Sequence, residues 1–241
     1  MDNIIEVKNL IKRFGKFTAN DNLTFEVEKG EIFGFLGANG AGKTTAIRQL
    51  CGLLKPTSGE AMVAGFDIFH QAEKVKERIG YMSQRFSLYD DLTVFENLRF
   101  YGGIYGLTNK EIKDRSGYYI EKLGLQKSRN TLLKDIPLGW KQKLAFSTAL
   151  LHRPEIVFMD EPTGGVDPVT RRQFWEMIYQ TADEGVTIFV TTHYMDEAEY
   201  CNRLSIMVDG KIVALDTPKK LVEEHHVKNM DEVFIKLARN E

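Results

Sequence analysis

The chain has 241 residues, enough for one large domain, and its net charge of −2 gives no basic surface for nucleic acid. Apolar residues make up 43% and charged residues 27%, the balance of a water-soluble globular protein. The longest segments without a charged side chain, such as residues 32–42, are far shorter than the ~20 apolar residues of a membrane span. Cys51 and Cys201 are far apart, which favours reduced, buried thiols over a disulfide framework or a zinc site. These features predict a cytosolic protein that reaches a membrane only through another chain.

The first part of the chain alternates predicted strands with short helices. Alternating polarity or a short apolar run predicts strands at residues 4–7, 23–27, 32–36 and 61–64. The third of these is a short apolar run that ends in a glycine-rich loop, which is typical of a buried strand. Helices are predicted at residues 43–50 and 70–78, the second with a charged surface that faces solvent.

The middle of the chain changes to helix. Thr93 with Glu96, and Thr108 with Glu111, each fit a capping box, in which the two side chains cap the N-terminus of a helix. A third helix is predicted to begin near Pro137 and to end before the next proline of the chain. This part is therefore predicted to be entirely helical.

Strands and helices alternate again after the helical segment. The predicted strands are residues 156–159, 187–191, 204–208 and 211–215, and the predicted helices are residues 168–182 and 195–200. Such alternation favours a mostly parallel sheet with helices on both faces, so the fold class is α/β. The predicted parts are an α/β core at residues 1–85 and 154–220, an all-helical insertion at residues 86–153, and a solvated tail at residues 221–241.

The segment GANGAGKTT, residues 37–45, fits the phosphate-binding pattern G-x-x-x-x-G-K-[ST] at every fixed position. It follows a predicted strand and opens a predicted helix, so its backbone N–H groups and the helix N-terminus would face an anion. Lys43 would lie on the β- and γ-phosphates, and the hydroxyl of Thr44 would bind Mg²⁺. The residues predicted to bind nucleotide here are Gly37, Ala38, Asn39, Gly40, Ala41, Gly42, Lys43, Thr44 and Thr45.

Polar side chains follow several predicted core strands. Asp160 and Glu161 come directly after the strand at residues 156–159, where Asp160 suits Mg²⁺ and Glu161 suits a general base that orients the attacking water. Gln84 and His193 follow two other strands. Each of these two would by itself indicate only a surface or structural residue. The carboxyl ends of parallel strands share the edge where open α/β sheets bind ligands, so we expect all four side chains to converge there.

Together these residues resemble the ATP-binding subunit of an ATP-binding-cassette (ABC) transporter over about residues 4–220. The matching positions are Phe14 for the aromatic that stacks on adenine, residues 37–45 for Walker A, Gln84 for the Q-loop, residues 156–161 for Walker B, residues 164–167 for the D-loop, and His193 for the switch histidine. The segments YMSQRFSLYDDLTVFENLRFYGGIYGL and VTTHYMDEAEYCNRL look like the cassettes of ABC-2-type exporters. More narrowly, the chain is similar to the C-terminal cassette of fused two-cassette multidrug efflux ATPases.

The resemblance implies a P-loop NTPase (RecA-like) core with an antiparallel β edge region and an inserted helical signature subdomain. It also implies that two cassettes sandwich two ATP molecules head to tail, with Mg²⁺, and drive an ABC-2-type membrane permease from the cytoplasmic face of the membrane. The implied site residues are Glu161, His193 and Gln84 for catalysis, Thr44, Gln84 and Asp160 for Mg²⁺, and Phe14, Pro137, Leu138, Gly139 and Asp167 for nucleotide, besides residues 37–45.

The signature segment departs from the pattern of that family. Aligned on LSGGQ, residues 136–140 read IPLGW. Pro137 has neither the hydroxyl nor the N–H of the expected serine, and one lost hydrogen bond to a charged group costs about 1–3 kcal/mol. We expect the N–H groups of Leu138 and Gly139, with the helix dipole, to keep the contact with the γ-phosphate in the partner's site, at the cost of weaker dimer closure.

Several alternatives to an exporter ATPase stay open. A soluble ABC protein of DNA repair, chromosome organisation or translation would carry coiled coils, zinc modules or a second cassette, and none of these is present in the sequence. A nucleotide-dependent scaffold with weak hydrolysis is favoured by the unusual signature. A P-loop phosphotransferase would need a lid and an acceptor site. Met1 and the short segment after Leu221 lead us to expect a complete small subunit, with a fragment of a fused protein as the alternative.

Overall fold

The computed structural model describes residues 2–84 and 87–239. The predicted boundary between core and insertion, at residues 85 and 86, lies outside the described residues. The strands are β1 (Asn3–Phe14), β2 (Phe17–Glu28), β3 (Ile32–Gly37), β4 (Ser58–Val63), β5 (Phe66–Asp67), β6 (Ile79–Met82), β7 (Ile156–Asp160), β8 (Thr187–Thr192), β9 (Arg203–Val208) and β10 (Lys211–Asp216). The α-helices are α1 (Lys43–Leu50), α2 (Ala72–Arg78), α3 (Val94–Ile104), α4 (Asn109–Lys122), α5 (Leu138–Leu150), α6 (Pro168–Asp183), α7 (Met195–Ala198), α8 (Pro218–Glu224) and α9 (Met230–Ala238).

Among the described residues the strands form two sheets. The larger sheet has the order β10-β9-β3-β8-β7-β6, and every neighbouring pair in it is parallel except β10 with β9. The smaller sheet has the order β2-β1-β4-β5 and is antiparallel throughout. The predicted α/β class is confirmed, with a mostly parallel core sheet and an antiparallel β region beside it.

The larger sheet is buried on both faces, and β7 shows this most clearly. Val157 and Met159 of that strand belong to the hydrophobic core that α5 and α6 cover, whereas Ile156 and Phe158 belong to the core shared with β1, β2 and α1. Successive side chains of a strand point to opposite faces, so a strand between two cores must be apolar at every position. This explains why the strand predicted at residues 156–159 is apolar at every position.

The helical segment is capped as predicted and is tied to the core through α5. Thr93 and Thr108 each form the reciprocal capping box with the glutamate three residues later. α5 packs closely against β6, where a Cβ added to Gly80 would lie 2.3 Å from the carbonyl oxygen of Ala149. Glycine is therefore the residue that allows the helix to approach this edge strand.

The prediction of a solvated tail after residue 220 is wrong over the part that the structure describes. α9 has its own amphipathic pattern, since Met230 and Val233 are buried and Phe234 and Leu237 are partly buried against the same core. Apolar side chains at this spacing line one face of a helix, and burying that face stabilises the helix on the domain. Among the described residues no helix is both long enough and apolar enough to cross a membrane.

Candidate active site

The loop at residues 37–45 connects β3 to α1, as its sequence predicts. Lys43, the first residue of α1, is 4% exposed, and its Nζ donates hydrogen bonds to the carbonyl oxygens of Gly37 (2.7 Å) and Ala38 (3.1 Å). The loop therefore curls around the ammonium group. This arrangement places a buried cation at the N-terminus of a helix, where backbone N–H groups already favour an anion.

Glycines of this loop stand where a larger residue would collide with the core. A Cβ on Gly37 would lie 2.6 Å from the carbonyl oxygen of Met207, and a Cβ on Gly42 would lie 2.4 Å from that of Ala19. Gly42 also has a φ of +104°, which side-chain-bearing residues rarely adopt. The loop borders a cavity of 440 Å³, lined by Phe17, Ala19, Asn39, Gly40, Gly42, Lys43, Thr44, Thr45, Gln84 and Glu161. A cavity with this lining suits the triphosphate chain of a nucleotide.

Asp160 ends β7 and lies directly beneath the loop. It is 2% exposed, and one oxygen, Oδ1, accepts hydrogen bonds from the hydroxyls of Thr44 (3.1 Å) and Thr191 (2.7 Å). No group of three or more His, Cys, Asp or Glu side chains that could hold a metal occurs in the described part of the chain. A hydroxyl beside a carboxylate is what Mg²⁺ needs, because this ion usually takes one or two protein oxygens and completes its shell with water and phosphate.

Glu161 leaves the strand in a left-handed backbone conformation, with φ of +48°. Its N–H faces Thr191 of β8, with the side-chain oxygen at 3.0 Å and the carbonyl oxygen at 3.1 Å. A non-glycine residue with positive φ carries strain, which active sites commonly hold in place with neighbouring contacts. The turn lets Glu161 line the cavity while the preceding carboxylate, Asp160, lies buried against Thr44 of the loop.

The carboxylate of Glu161 brings together side chains from three other segments. Its Oε1 lies 3.3 Å from Nζ of Lys43, and its Oε2 accepts a 3.0 Å hydrogen bond from Nε2 of Gln84. Nδ1 of His193 lies 3.2 Å from the same Oε2, without the angle of a hydrogen bond. Gln84, Asp160, Glu161 and His193 therefore lie at the carboxyl ends of the neighbouring strands β6, β7 and β8, the one sheet edge where they were expected.

Two aromatic residues flank the turn between β1 and β2. Phe17 lines the nucleotide cavity and is 64% exposed. Phe14, expected to stack on adenine, is 50% exposed, pairs with Phe17 across the hairpin and has Nζ of Lys12 4.9 Å from its ring centre. Phe17 was not among the residues predicted to bind nucleotide, although KRFGKF shows a second aromatic just after the same Gly-Lys turn.

The residues predicted to contact a second nucleotide line a different cleft. Pro137, Leu138 and Gly139 face the loop before α6 across a space of 320 Å³, whose lining includes Asp167. Asp167 is the N-cap of α6, and a hydrogen bond from the Thr170 hydroxyl, followed by one from its N–H, lowers the pKa of the carboxyl. The signature residues and the phosphate loop of one chain thus lie at separate places.

Pro137 lies where the third helix of the middle segment was predicted to begin. It is the N-cap of α5, with φ of −57° and ψ of 148°. Its carbonyl accepts hydrogen bonds from the N–H groups of Trp140 (3.0 Å) and Lys141 (3.1 Å). The N–H groups of Leu138 and Gly139 open the helix, where helical geometry provides no intrahelical acceptor.

Comparison with known proteins decides the family. The family model described as "ABC transporter" matches residues 20–164, more than half of the chain. This chain belongs to the ABC transporter ATP-binding family. It is therefore an ABC cassette, and this family comprises ATPases coupled to transport.

The cassette has curated relatives along almost all of its length. It is 46% identical over 244 residues to the probable multidrug ABC transporter ATP-binding protein YbhF of Escherichia coli. This match covers 99% of the cassette and 42% of that relative. It is 38% identical to the linearmycin resistance ATP-binding protein LnrL of Bacillus subtilis, over 90% of the cassette and 70% of that relative. The cassette thus spans less than half the length of YbhF.

Solved structures agree with the fold of the cassette. A protein described as the ATP-binding subunit of an ABC transporter is 28% identical, with a TM-score of 0.86, and the match covers 97% of the cassette and 99% of that chain. The cbiO1 protein of Clostridium perfringens, described as part of the ABC transporter complex cbiONQ, is 26% identical with a TM-score of 0.85 over 99% of the cassette and 97% of that chain.

Proposed function

We propose that the cassette binds and hydrolyses ATP to power export through a separate ABC-2-type membrane permease. It acts as one of two paired cassettes, held by the permease at the cytoplasmic face of the membrane. The observation that carries this proposal is the Glu161 carboxylate, placed beside Lys43 of the phosphate loop and between Gln84 and His193. The names of two relatives, multidrug for YbhF and linearmycin resistance for LnrL, favour drugs as cargo, and the resemblance to ABC-2-type exporters adds lipids or organic ions.

Nucleotide binding uses the loop at residues 37–45 for the phosphates and Phe14, with Phe17 beside it, for the adenine ring. Thr44 and Asp160 would hold Mg²⁺, with the Gln84 amide oxygen as a further ligand. When bound, Mg²⁺ neutralises charge on the phosphates.

Hydrolysis requires a base that holds and deprotonates water next to the γ-phosphate. Glu161 is that base in our proposal, because its carboxylate lies at the mouth of the phosphate loop and faces the cavity. Gln84 and His193 hold the Glu161 carboxylate and the attacking water in line with the γ-phosphate. Lys43 must exchange Glu161 for phosphate oxygens before the carboxylate is free to act.

A steady-state ATPase assay of the purified cassette, with and without Mg²⁺, tests this function. The wild-type cassette should turn over ATP, and Glu161→Gln should lower kcat by about 10²–10⁴-fold, the usual contribution of a general base, while nucleotide still binds. A Glu161→Gln variant with wild-type turnover would refute the assignment.

A nucleotide-dependent scaffold with weak hydrolysis is the second candidate, and Pro137 in place of the signature serine favours it. Under this alternative the wild-type cassette binds ATP and pairs with a second cassette, but its turnover stays as low as that of Glu161→Gln. The same assay therefore separates the two candidates.

A further inference from the structure

Glu197, in the short helix α7, is a buried carboxylate outside the lining of the nucleotide cavity. Its side chain is 0% exposed. Oε2 accepts a 2.6 Å hydrogen bond from the hydroxyl of Thr192, and Oε1 accepts one from the hydroxyl of Thr163. Both threonines are buried as well. One carboxylate therefore joins two segments that are distant in the sequence.

These threonines belong to the segments that carry the candidate catalytic side chains. Thr163 follows Glu161 by two residues, in the loop that runs to α6, and Thr192 directly precedes His193. The hydroxyl oxygen of Thr192 also accepts a 3.0 Å hydrogen bond from the N–H of Tyr194, so one hydroxyl holds both sides of the histidine. Displacement of the shared carboxylate would move both segments.

Arg171 of α6 balances the charge of this carboxylate. Its Nε lies 3.6 Å from Oε1 of Glu197, and its Nη1 lies 3.2 Å from Asp196. The guanidinium group also stacks 4.1 Å from the ring centre of Tyr194. Apolar side chains of similar volume fill a core as well as a buried ion pair does, so packing alone gives no reason for a carboxylate here. Directed hydrogen bonds to two loops do give a reason.

We propose that Glu197 is a positioning residue of the hydrolytic site. Its two hydrogen bonds hold the loop after Glu161 and the segment of His193 at a set distance from each other, so that the two side chains stay aligned. This inference rests on the proposed function. Because Glu197 acts only through Thr163 and Thr192, its loss lowers kcat and leaves nucleotide affinity unchanged.

The first test is Glu197→Gln, which keeps the size of the side chain but replaces one acceptor oxygen with a donor. We expect kcat to fall about 10–100-fold, the effect of a lost hydrogen bond to a charged group, with KM for ATP and affinity for ADP within about twofold of wild type. Asp196→Asn is the matched control, since that neighbouring acid is exposed and also pairs with Arg171. It should keep the wild-type kcat.

Thr163→Val and Thr192→Val remove the two hydroxyls with little change of shape. Each should lower kcat in the wild-type background. In Glu197→Gln the effect of at least one of them should shrink, because the amide keeps one acceptor oxygen where the carboxylate has two. A folded Glu197→Gln variant with wild-type kcat, or two threonine effects that both persist in full in its background, would overturn the proposal. If Glu197→Gln does not fold, the two threonine variants test the proposal in its place. Effects that simply multiply in their double variant would contradict a shared anchor.

Hydrogen exchange separates this inference from the proposed function. A wild-type chain that does not hydrolyse ATP would refute the function, but the anchor can still be measured on the full chain. Glu197→Gln should speed amide exchange in residues 162–167 and 192–195 together. Faster exchange confined to α7 would overturn the inference.

Discussion

Nζ of Lys43 lies 3.3 Å from Oε1 of Glu161, and both side chains are largely withdrawn from solvent. The cation expected on the phosphates is thus paired with the proposed catalytic base. A carboxylate and a phosphate compete for the same ammonium group when both are within reach. Nucleotide binding therefore has to break this pair, and this frees the base at the moment when the phosphates arrive.

The first prediction follows from that competition. Glu161→Gln removes the negative charge, so Lys43 no longer has to leave an ionic partner. Affinity for ATP should rise about tenfold, the value of one hydrogen bond between charged groups. Equilibrium titration with a fluorescent ATP analogue measures this, and Glu176→Gln on the exposed side of α6 is a control for the change in net charge. Weaker binding by Glu161→Gln would contradict the competition.

The second prediction concerns the signature. Pro137→Ser adds a hydroxyl and an N–H at the N-cap of α5, facing the cleft that a second nucleotide would enter. ATP-driven pairing should strengthen about tenfold or more, since a hydrogen bond to a charged phosphate contributes about 1–3 kcal/mol. Sedimentation in a Glu161→Gln background measures it. Pro137→Ala restores only the N–H and is the control; equal pairing by all three forms would show that the hydroxyl does not matter here.

Two glycines of the phosphate loop make a matched pair for the third prediction. Gly40 and Gly42 both have positive φ, +85° and +104°, but only a Cβ at Gly42 meets a backbone atom, at 2.4 Å. Gly40→Ala should lower the free energy of unfolding by about 1–2 kcal/mol, the cost of left-handed backbone. Gly42→Ala should cost more, because the collision adds to that strain. Denaturant unfolding compares them, and equal losses would contradict the close contact.

The fourth prediction separates the two aromatic residues of the β1–β2 hairpin. Phe14→Ala should weaken ATP binding about tenfold, because stacking of an aromatic ring on a base contributes about 1–3 kcal/mol, and should leave tripolyphosphate binding unchanged. Phe17→Ala should have the smaller effect on ATP. Calorimetric titration with both ligands tests this. A larger loss in Phe17→Ala would transfer the adenine contact to the residue that lines the cavity.

The fifth prediction is a dependence of stability on pH. The ring of His152 stacks on Tyr105 with centres 3.8 Å apart, and its Nε2 lies 2.9 Å from the carbonyl oxygen of Ile79. Burial, and then the charge of Arg115, lower the pKa of this histidine below its ordinary value of 6.5. The unfolded chain therefore binds the proton more tightly, so stability is present above pH 6.5 and is lost as pH falls below that value.

His152→Gln keeps a donor for the Ile79 carbonyl but cannot take up a proton. Unfolding midpoints measured between pH 7.5 and about 5 should fall less steeply for the variant than for the wild-type chain. Parallel slopes for the two proteins would show that His152 does not contribute.

The phosphate loop and the strand ends could be predicted because their signals are local. Residues 37–45 match a fixed spacing, and Asp160 and Glu161 follow a short apolar run that was predicted to be a strand. Parallel strands bring their carboxyl ends to one edge, so the convergence of Gln84 and His193 on Glu161 follows from topology. The α/β class and the capped helices depend on the same short-range patterns.

Other features depend on register and packing, which no local pattern contains. Asp160 pairs with Thr191 in the β7–β8 ladder, and this register lets one threonine hydroxyl bond both the carboxylate of Asp160 and the backbone N–H of Glu161. The packing of α9 on the core required a surface made by β9 and α7. The sequence alone determined which chemical groups the cassette possesses and at which edge they gather. The tertiary structure decided that Lys43 pairs with Glu161 and that Glu197 links two loops, because contacts between distant segments depend on how the strands align and the helices pack.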